Sequence, residues 1–437
     1  MKAVKGKMIF GGVHLRDEKN LTCDKPTEVP SAPSEVRIST RQSAGKSAIP
    51  CVEKGQKVKE GQLIAKADGA ISSNVFASVA GEVKDIVKMP SAAGIEETFI
   101  VIASDGSGQT DYLAPLTDPS AQDIVQRIYD AGIVGMGGAG FPAAVKDAPK
   151  CKVDTLVLNG SECEPYLTCD HRLMVEHTDD IVRGARYIAR ALGGAGIVIG
   201  IEKNKPDCIA AFEQYDDVKV VMLAKRYPMG SEKHLIYSCT GRKVRIGKLP
   251  AEAGVIVHNV GTAYAVCQAV ELGKPLYERE ITVTGKAVKE PKNLWVKVGT
   301  SIKELVEYCG GEAVAPKKVV QGGPMTGVAL ADYDQYIYKT SDGILLMTAD
   351  ETDCLEPTPC LNCGKCADVC PMHLMPMQTA FYSSAGDFET AAKLGNTLSC
   401  IECGACEYVC PARRPLIQAI RKTKAAMRAK NDKEVKK

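Results

Sequence analysis

The chain has 437 residues, enough for about three domains of ordinary size. Its 45% hydrophobic and 25% charged residues exclude a disordered or collagen-like chain. The 55 basic and 53 acidic residues nearly cancel, which argues against a nucleic-acid binder relying on a global basic field. The stretch most like a membrane span, residues 254–270, carries His258, Asn259 and Gln268 and reads instead as a buried strand running into a helix. The N-terminus MKAVKGKMIFGG lacks the apolar core of a signal peptide. A soluble, cytoplasmic chain is expected, with at most peripheral membrane contact.

In chain order, residues 1–30 are irregular, with Gly11, Gly12, Pro26 and Pro30. Residues 31–115 hold short runs such as 62–67 and 81–87 between glycines, which predicts a small all-β sandwich or barrel. The phrase VEKGQKVKEGQLIAKADG, with ASVAGEVKDI after it, resembles the barrel-sandwich hybrid fold of lipoyl and biotinyl domains. The modifiable Lys of those domains is missing between residues 69 and 75, so no acyl-carrier role is expected. Across 116–275 the period changes. Helices are predicted at 119–131, 178–192, 206–215 and 263–272, and strands at 153–159, 196–202, 218–224 and 254–259. This alternation implies a Rossmann-like α/β sheet. Residues 276–345 return to β character with one helix at 302–309, and resemble a β-grasp module of the soluble-ligand-binding (SLBB) type. Residues 346–437 are rich in Cys and Pro and end in a basic helix, 415–430, with Arg421, Lys422, Lys424, Arg428 and Lys430. That helix reads as a solvated face or as a contact with a partner or anionic lipid. The fold class is thus multidomain, α/β plus β, with a helical ferredoxin-like end.

Eight of the 18 cysteines fall into two copies of one pattern. Cys360-x2-Cys363-x2-Cys366-x3-Cys370-Pro371 recurs 40 residues later as Cys400-x2-Cys403-x2-Cys406-x3-Cys410-Pro411. Three cysteines at this spacing wrap one corner of a cubane cluster, and the fourth, before Pro, reaches the other cluster. The expected sets are Cys360, Cys363, Cys366 and Cys410 for one [4Fe–4S] cluster, and Cys400, Cys403, Cys406 and Cys370 for the other. Isolated C-x2-C pairs would leave zinc open. The duplicated four-cysteine run closing on Cys-Pro points to iron–sulfur, and two neighbouring clusters point to an electron wire rather than inert staples. The other ten cysteines lack ligand spacing and read as reduced thiols. Cys354, just upstream of the first motif, is a weaker ligand candidate.

After the helix at 119–131 comes GIVGMGGAGFP, residues 132–142. Gly135, Gly137, Gly138 and Gly140 leave a backbone that a phosphate can approach, with N–H groups free to converge on an anion; a bare tight turn has the same spacing. Lys146 adds a cation six residues beyond Gly140. NGSECEPY, residues 159–166, follows the next strand, at the end where α/β sheets bind ligands. It offers Asn159, Ser161, Glu162 and Glu164.

Here the text resembles the NADH-binding flavoprotein subunit of respiratory complex I. GMGGAGFPAAVK is similar to its G-R-G-G-A-G-F-P-T-G-L-K, NGSECEP to N-A-D-E-S-E-P, and VHNVGT to V-N-N-V-E-T. The resemblance implies that Gly135, Gly137, Gly138, Lys146, Asn159, Glu162 and Asn259 contact FMN, with Gly140 in the same loop. It implies that Phe141 and Glu164 face the nicotinamide nucleotide. Met136, Ser161 and Asp147 stand where that family has Arg, Asp and Trp. A closer resemblance, over nearly the whole chain, is to the RnfC family, the soluble subunits of Rnf ion-translocating ferredoxin:NAD oxidoreductases. It runs through FGGVHLRDEKNLTCDKP, LNGSECEPYLTCDHRLM, IEKNKP, YPMGSEKHLI, GKLPAEAGVIVHNVGTA, QGGPMTG and both cysteine runs. The related cobalamin reductases lack the N-terminal β domain.

A nicotinamide gives two electrons together and a cluster takes one, so a flavin belongs between them. The resemblance therefore implies hydride exchange between NAD(H) and FMN, then one-electron transfer through two clusters to other subunits of a membrane complex, and indirectly to ferredoxin. The expected location is the cytoplasmic face of the membrane, bound peripherally. No general acid or base is expected, and His171, His177 and His258 read as structural. Rival readings are a soluble NADH-dependent reductase of a small acceptor such as a corrinoid, and a relay module without flavin activity.

Overall fold

The structure is a computed structural model and describes residues 2–352 and 355–435; Cys354 lies outside the described residues. The central sheet is parallel, in the order Val4–Lys5, Val218–Leu223, Gly196–Glu202, Thr155–Gly160, Val255–Asn259. Its strands are runs of Val, Ile and Leu, as a parallel sheet covered on both faces requires. Helices Ala121–Asp130, Thr178–Ala191 and Val260–Glu271 cover one face through Ile124, Ile128, Ile181, Ile188 and Val266. Helix Glu232–Thr240 covers the other, with Leu235 and Ile236 against Val157, Val198 and Val221.

Several details depart from the sequence reading, among them helices Cys169–Glu176 and Glu232–Thr240, which it did not place. Val4–Lys5, inside the segment read as irregular, pairs with Val221 and Met222 as the sheet's edge strand. Two residues are too few to show a strand period. The helix read from 263 starts at Val260, because Asn259 caps it: its Oδ1 accepts from the Gly261 N–H at 2.8 Å. The boundary read at 345/346 falls inside strand Gly343–Met347, which pairs with Glu278–Thr284.

Residues 35–104 form two antiparallel sheets. One is ordered Glu35–Ser39, Glu96–Ser104, Gly81–Pro90, Lys57–Val58, and the other Ile49–Pro50, Leu63–Lys66, Val75–Phe76. They close on Val36, Ile64, Val83, Ile100 and Ile102. A five-stranded mixed sheet, Lys292–Lys297, Glu278–Thr284, Gly343–Met347, Lys318–Gln321, Val328–Leu330, packs on helix Ile302–Tyr308 through Leu305 and Val306.

The cysteine-rich end repeats its backbone as well as its sequence. Short helices Lys365–Asp368 and Ala405–Tyr408 occupy equivalent places. Positive φ recurs at Asn362 and Glu402 (54° and 55°), at Gly364 and Gly404 (both 77°), and at His373 and Arg413 (53° and 51°). The final helix runs Leu416–Val435.

Candidate flavin and cluster sites

The glycine loop lies at the C-terminal ends of the parallel strands, between Asn259 and the β domains. Its base is fixed by Gly135 N–H donating to the Phe141 carbonyl at 2.9 Å and Met136 N–H donating to Thr262 Oγ1 at 3.0 Å. A Cβ on Gly137 would stand 3.0 Å from Asn259 Cβ and Nδ2. A Cβ on Gly140, where φ is +65°, would stand 2.7 Å from Thr340 Cγ2. A Cβ on Gly138 would meet no protein atom within 4 Å. Protein packing thus accounts for Gly137 and Gly140, whereas Gly138 borders open space of the kind a phosphate cradle requires.

Other residues gather at this rim. Lys146 Nζ donates to Glu232 Oε1 at 2.7 Å, and Glu232 opens helix Glu232–Thr240. Asn159 Nδ2 donates to the Gly230 carbonyl at 2.9 Å. Asn259 Nδ2 donates to Asp170 Oδ2 at 2.7 Å. Ser161 Oγ is buried with no hydrogen-bond partner among the described residues, and a Cβ on Gly230 would clash with it. The open space beside Gly138 suits the phosphate of a polar cofactor. Phe141 is 38% exposed.

The acids of NGSECEP face elsewhere. Glu162 takes a left-handed φ of 44°, uncommon for a residue with a side chain. Its carboxylate lies 3.4 Å from Lys19 Nζ and 3.8 Å from Lys205 Nζ, and accepts from the Asp170 N–H at 2.8 Å. Lys205 also donates to the Ser161 carbonyl at 2.9 Å and pairs with Glu202 at 3.3 Å. Burial works against the Lys205 charge, but Glu202 and Glu162 outweigh it and its pKa is raised. Burial, reinforced by Glu162, pushes Asp170 up to about 7. Glu164, given to the nicotinamide nucleotide by the resemblance, is engaged by the β-grasp domain: Met325 N–H donates to it at 3.1 Å and Thr326 Oγ1 at 2.6 Å. Burial pushes its carboxyl up to about 7.

Each predicted ligand set lines one cavity. Cys370, Cys400, Cys403 and Cys406 line a recess of about 370 Å³. Cys360, Cys363, Cys366 and Cys410 line a more open one of about 1410 Å³, rimmed by Leu361 and Phe381, which are 65% and 67% exposed. Backbone N–H groups donate to sulfur at repeat-related places: Asn362 to Cys360 and Glu402 to Cys400 (3.4 and 3.3 Å), and Leu374 to Cys370 and Arg414 to Cys410 (3.3 and 3.4 Å). Burial pushes the Cys403 thiol up to about 11. Thiols so buried ionise only against a metal's charge, so the donor set fits a metal cluster.

The inner cavity abuts the α/β domain at the 159–166 loop and the segment that leads into helix Glu232–Thr240. Tyr227, 4% exposed, donates from its hydroxyl to the Cys403 carbonyl at 2.7 Å and packs with Cys163 and Ala405. The Met325 carbonyl lies against Gly404. His234 Nε2 is 3.0 Å from the Pro371 carbonyl. None of Tyr227, Lys19, Lys205 and Met325 was legible as a site residue. Their partners are far off in sequence, and their only pointers were the motifs FGGVHLRDEKNLTCDKP, IEKNKP, YPMGSEKHLI and QGGPMTG, which named no role for them.

A Rossmann-type flavin loop joined to a dicluster ferredoxin end defines an electron-transfer flavoprotein. Comparison gives the parts in order: an RnfC barrel sandwich hybrid domain over residues 7–107, a Nuo51 FMN-binding domain over 128–268, an SLBB domain over 281–329 and a 4Fe-4S dicluster domain over 359–414. The chain is 44% identical to the RnfC-type member of the proton-translocating ferredoxin:NAD(+) oxidoreductase complex of Clostridium ljungdahlii, covering 98% of this chain and 96% of that one. It is 40% identical to the Na(+)-translocating counterpart of Acetobacterium woodii, over 96% and 97%. It is also 40% identical to the corresponding member of the ion-translocating oxidoreductase complex of Rhodobacter capsulatus, over 89% and 77%. The chain belongs to the RnfC family.

Proposed function

We propose that the chain is the NADH-reactive, electron-carrying RnfC member of a membrane-associated, ion-translocating ferredoxin:NAD oxidoreductase complex, with FMN and two [4Fe–4S] clusters. The observation that carries this reading is the Tyr227–Cys403 contact, which sets one four-cysteine cavity against the α/β domain that bears the glycine loop. The names of relatives 40 to 44% identical support it. So does the barrel-sandwich match over 7–107, which favours it over a soluble reductase of a small acceptor.

A bound flavin exchanges hydride with a nicotinamide and single electrons with clusters. This chain's residues supply the setting. Gly138 gives a phosphate room, Gly137 and Gly140 let the loop pack on Asn259 and Thr340, Gly135 closes its base, and Lys146 supplies a cation. Asn159 and Asn259 present polar side chains, and Glu162 anchors the loop through Lys19 and Lys205. The resemblance assigns Phe141 to the nicotinamide nucleotide, and Glu164 is assigned instead to holding the loop on the β-grasp domain. Cys360, Cys363, Cys366 and Cys410 hold the outer cluster, and Cys370, Cys400, Cys403 and Cys406 the inner one. Among the described residues no helix is long and apolar enough to cross a membrane, in keeping with a protein held peripherally, on the cytoplasmic face, by partner subunits.

The test is iron, sulfide and flavin quantitation on anaerobically purified protein, followed by NADH titration. About eight irons per chain, one FMN and NADH-driven bleaching are expected. Zinc in place of iron, or a chain that binds no flavin, would overturn the reading.

A further inference from the structure

Surface charge is uneven on this near-neutral chain. Residues 2–12 and 233–251 together contain eight Lys or Arg and no Asp or Glu. The two stretches are neighbours. Lys7 N–H donates to the Ser238 carbonyl at 2.9 Å. The Lys7 and Lys243 amines sit 5.9 and 6.0 Å from the centroid of one ring, Tyr237. Ile9 and Val244 enter the same core. With Ile9 inside, the extended chain turns Met8 and Phe10 outward, 70% and 80% exposed. Ile246 and Leu249 protrude nearby, 70% and 68% exposed. Phe10 is the most exposed large apolar side chain among the described residues.

Three acids meet this face at its margin: Asp154 pairs with Arg242 at 2.7 Å, Glu252 with Lys248 at 2.9 Å, and Glu213 accepts from the Ala3 N–H at 2.5 Å. Lys5, Lys7, Lys243 and Arg245 have no carboxylate partner among the described residues. Single exposed apolar residues are ordinary, whereas four set among unpaired cations mark a contact face.

We propose that this face rests on the headgroup layer of an anionic phospholipid membrane. Long basic side chains can follow headgroups at any lateral position, and protruding apolar side chains enter a layer that has no fixed shape to match. The placement extends the peripheral membrane association proposed above and rests on it for its biological setting. Its test does not pass through the flavin or the clusters, so the two can fail separately.

The holoprotein is sedimented with vesicles of phosphatidylcholine alone, or of phosphatidylcholine mixed with phosphatidylglycerol. It should pellet with the mixed vesicles only and be released by high salt. Lys243→Glu with Arg245→Glu should weaken binding about tenfold or more. Phe10→Ser with Ile246→Ser should also weaken it. Flavin content and melting temperature should stay as in the wild type. Lys5→Glu, on the other stretch, repeats the charge test should the loop variant fold poorly. A wild type that ignores phosphatidylglycerol, or charge variants that pellet like it, would overturn the proposal. Variants that bind vesicles normally but no longer co-purify with membrane subunits would assign the face to a protein partner instead.

Discussion

Gly137 and Gly138 are adjacent and chemically identical, yet they answer different demands. A side chain at Gly137 would press on Asn259, whereas one at Gly138 would enter space that the protein leaves open. Gly138→Val should therefore keep wild-type melting and lose FMN, with both clusters still visible by EPR. Gly137→Val should lose FMN and melt earlier, since Asn259 also caps a helix. Flavin fluorescence and calorimetry on one preparation separate the two. Glu164 supports a pH experiment. Burial raises its pKa from 4.5 to about 7, so the folded state favours the proton. The stability this contributes is fully present below pH 4.5 and is lost as pH rises through about 7. Glu164→Gln should flatten the fall in melting temperature across that window, in part only, because Asp170 titrates over the same range. Melting curves that stay parallel would show that Glu164 is not the group responsible. Much at this scale was legible: the glycines and Asn159 stand in short motifs. Lys19 and Lys205 were not, because each meets Glu162 only through the fold.

Duplication made the metal-binding elements the most legible part of the chain. Spacing alone pairs Cys370 with the second run and Cys410 with the first, and the cavities group them the same way. Sequence did not disclose which set lies inward. That depends on Tyr227, placed by a strand–loop–helix segment more than 170 residues before Cys403. Tyr227→Phe keeps the ring and its packing and removes one hydrogen bond, a loss of about 0.5–1.5 kcal/mol. NADH should still bleach the flavin at the wild-type rate, while reduction of the inner cluster slows. Stopped-flow spectra that show both phases unchanged would remove Tyr227 from the connection. Cys403→Ser should abolish the EPR signal of the inner cluster and leave the outer one, and Cys363→Ser the reverse.

At the scale of the molecule, three domains meet on a single amine. Lys339 is fully buried and donates to the carbonyls of Asn74 and Gly132, both at 2.7 Å, with its amine 5.6 Å from the centre of the Phe76 ring. Asn74 belongs to the barrel sandwich, Gly132 leads into the flavin loop and Lys339 comes from the β-grasp region. Arg279 adds a bond to the Lys339 carbonyl at 2.6 Å and reaches the Met136 carbonyl at 3.4 Å. The domains could be read from sequence one by one, because each has its own period. Their seating could not, because it rests on a lone lysine in YIYKTSDG with no motif around it. Burial pushes this amine down from 10.5 to about 7, so the folded state disfavours its proton. The unfolded chain binds more protons between those values, and stability from this group therefore rises as pH climbs from about 7 toward 10.5. Lys339→Met keeps most of the stem and removes the donors, leaving two buried carbonyls unsatisfied at about 1–3 kcal/mol each. The variant should melt earlier at every pH and should lack the alkaline rise. It should also lose FMN more readily on dilution, since Gly132 anchors the start of the glycine loop. Melting temperatures of both proteins from neutral to mildly alkaline pH, with flavin retention measured alongside, give the comparison. Curves that run parallel would mean that the amine is already neutral throughout or not buried in solution, and a full flavin complement in Lys339→Met would uncouple the three-domain seat from the cofactor loop.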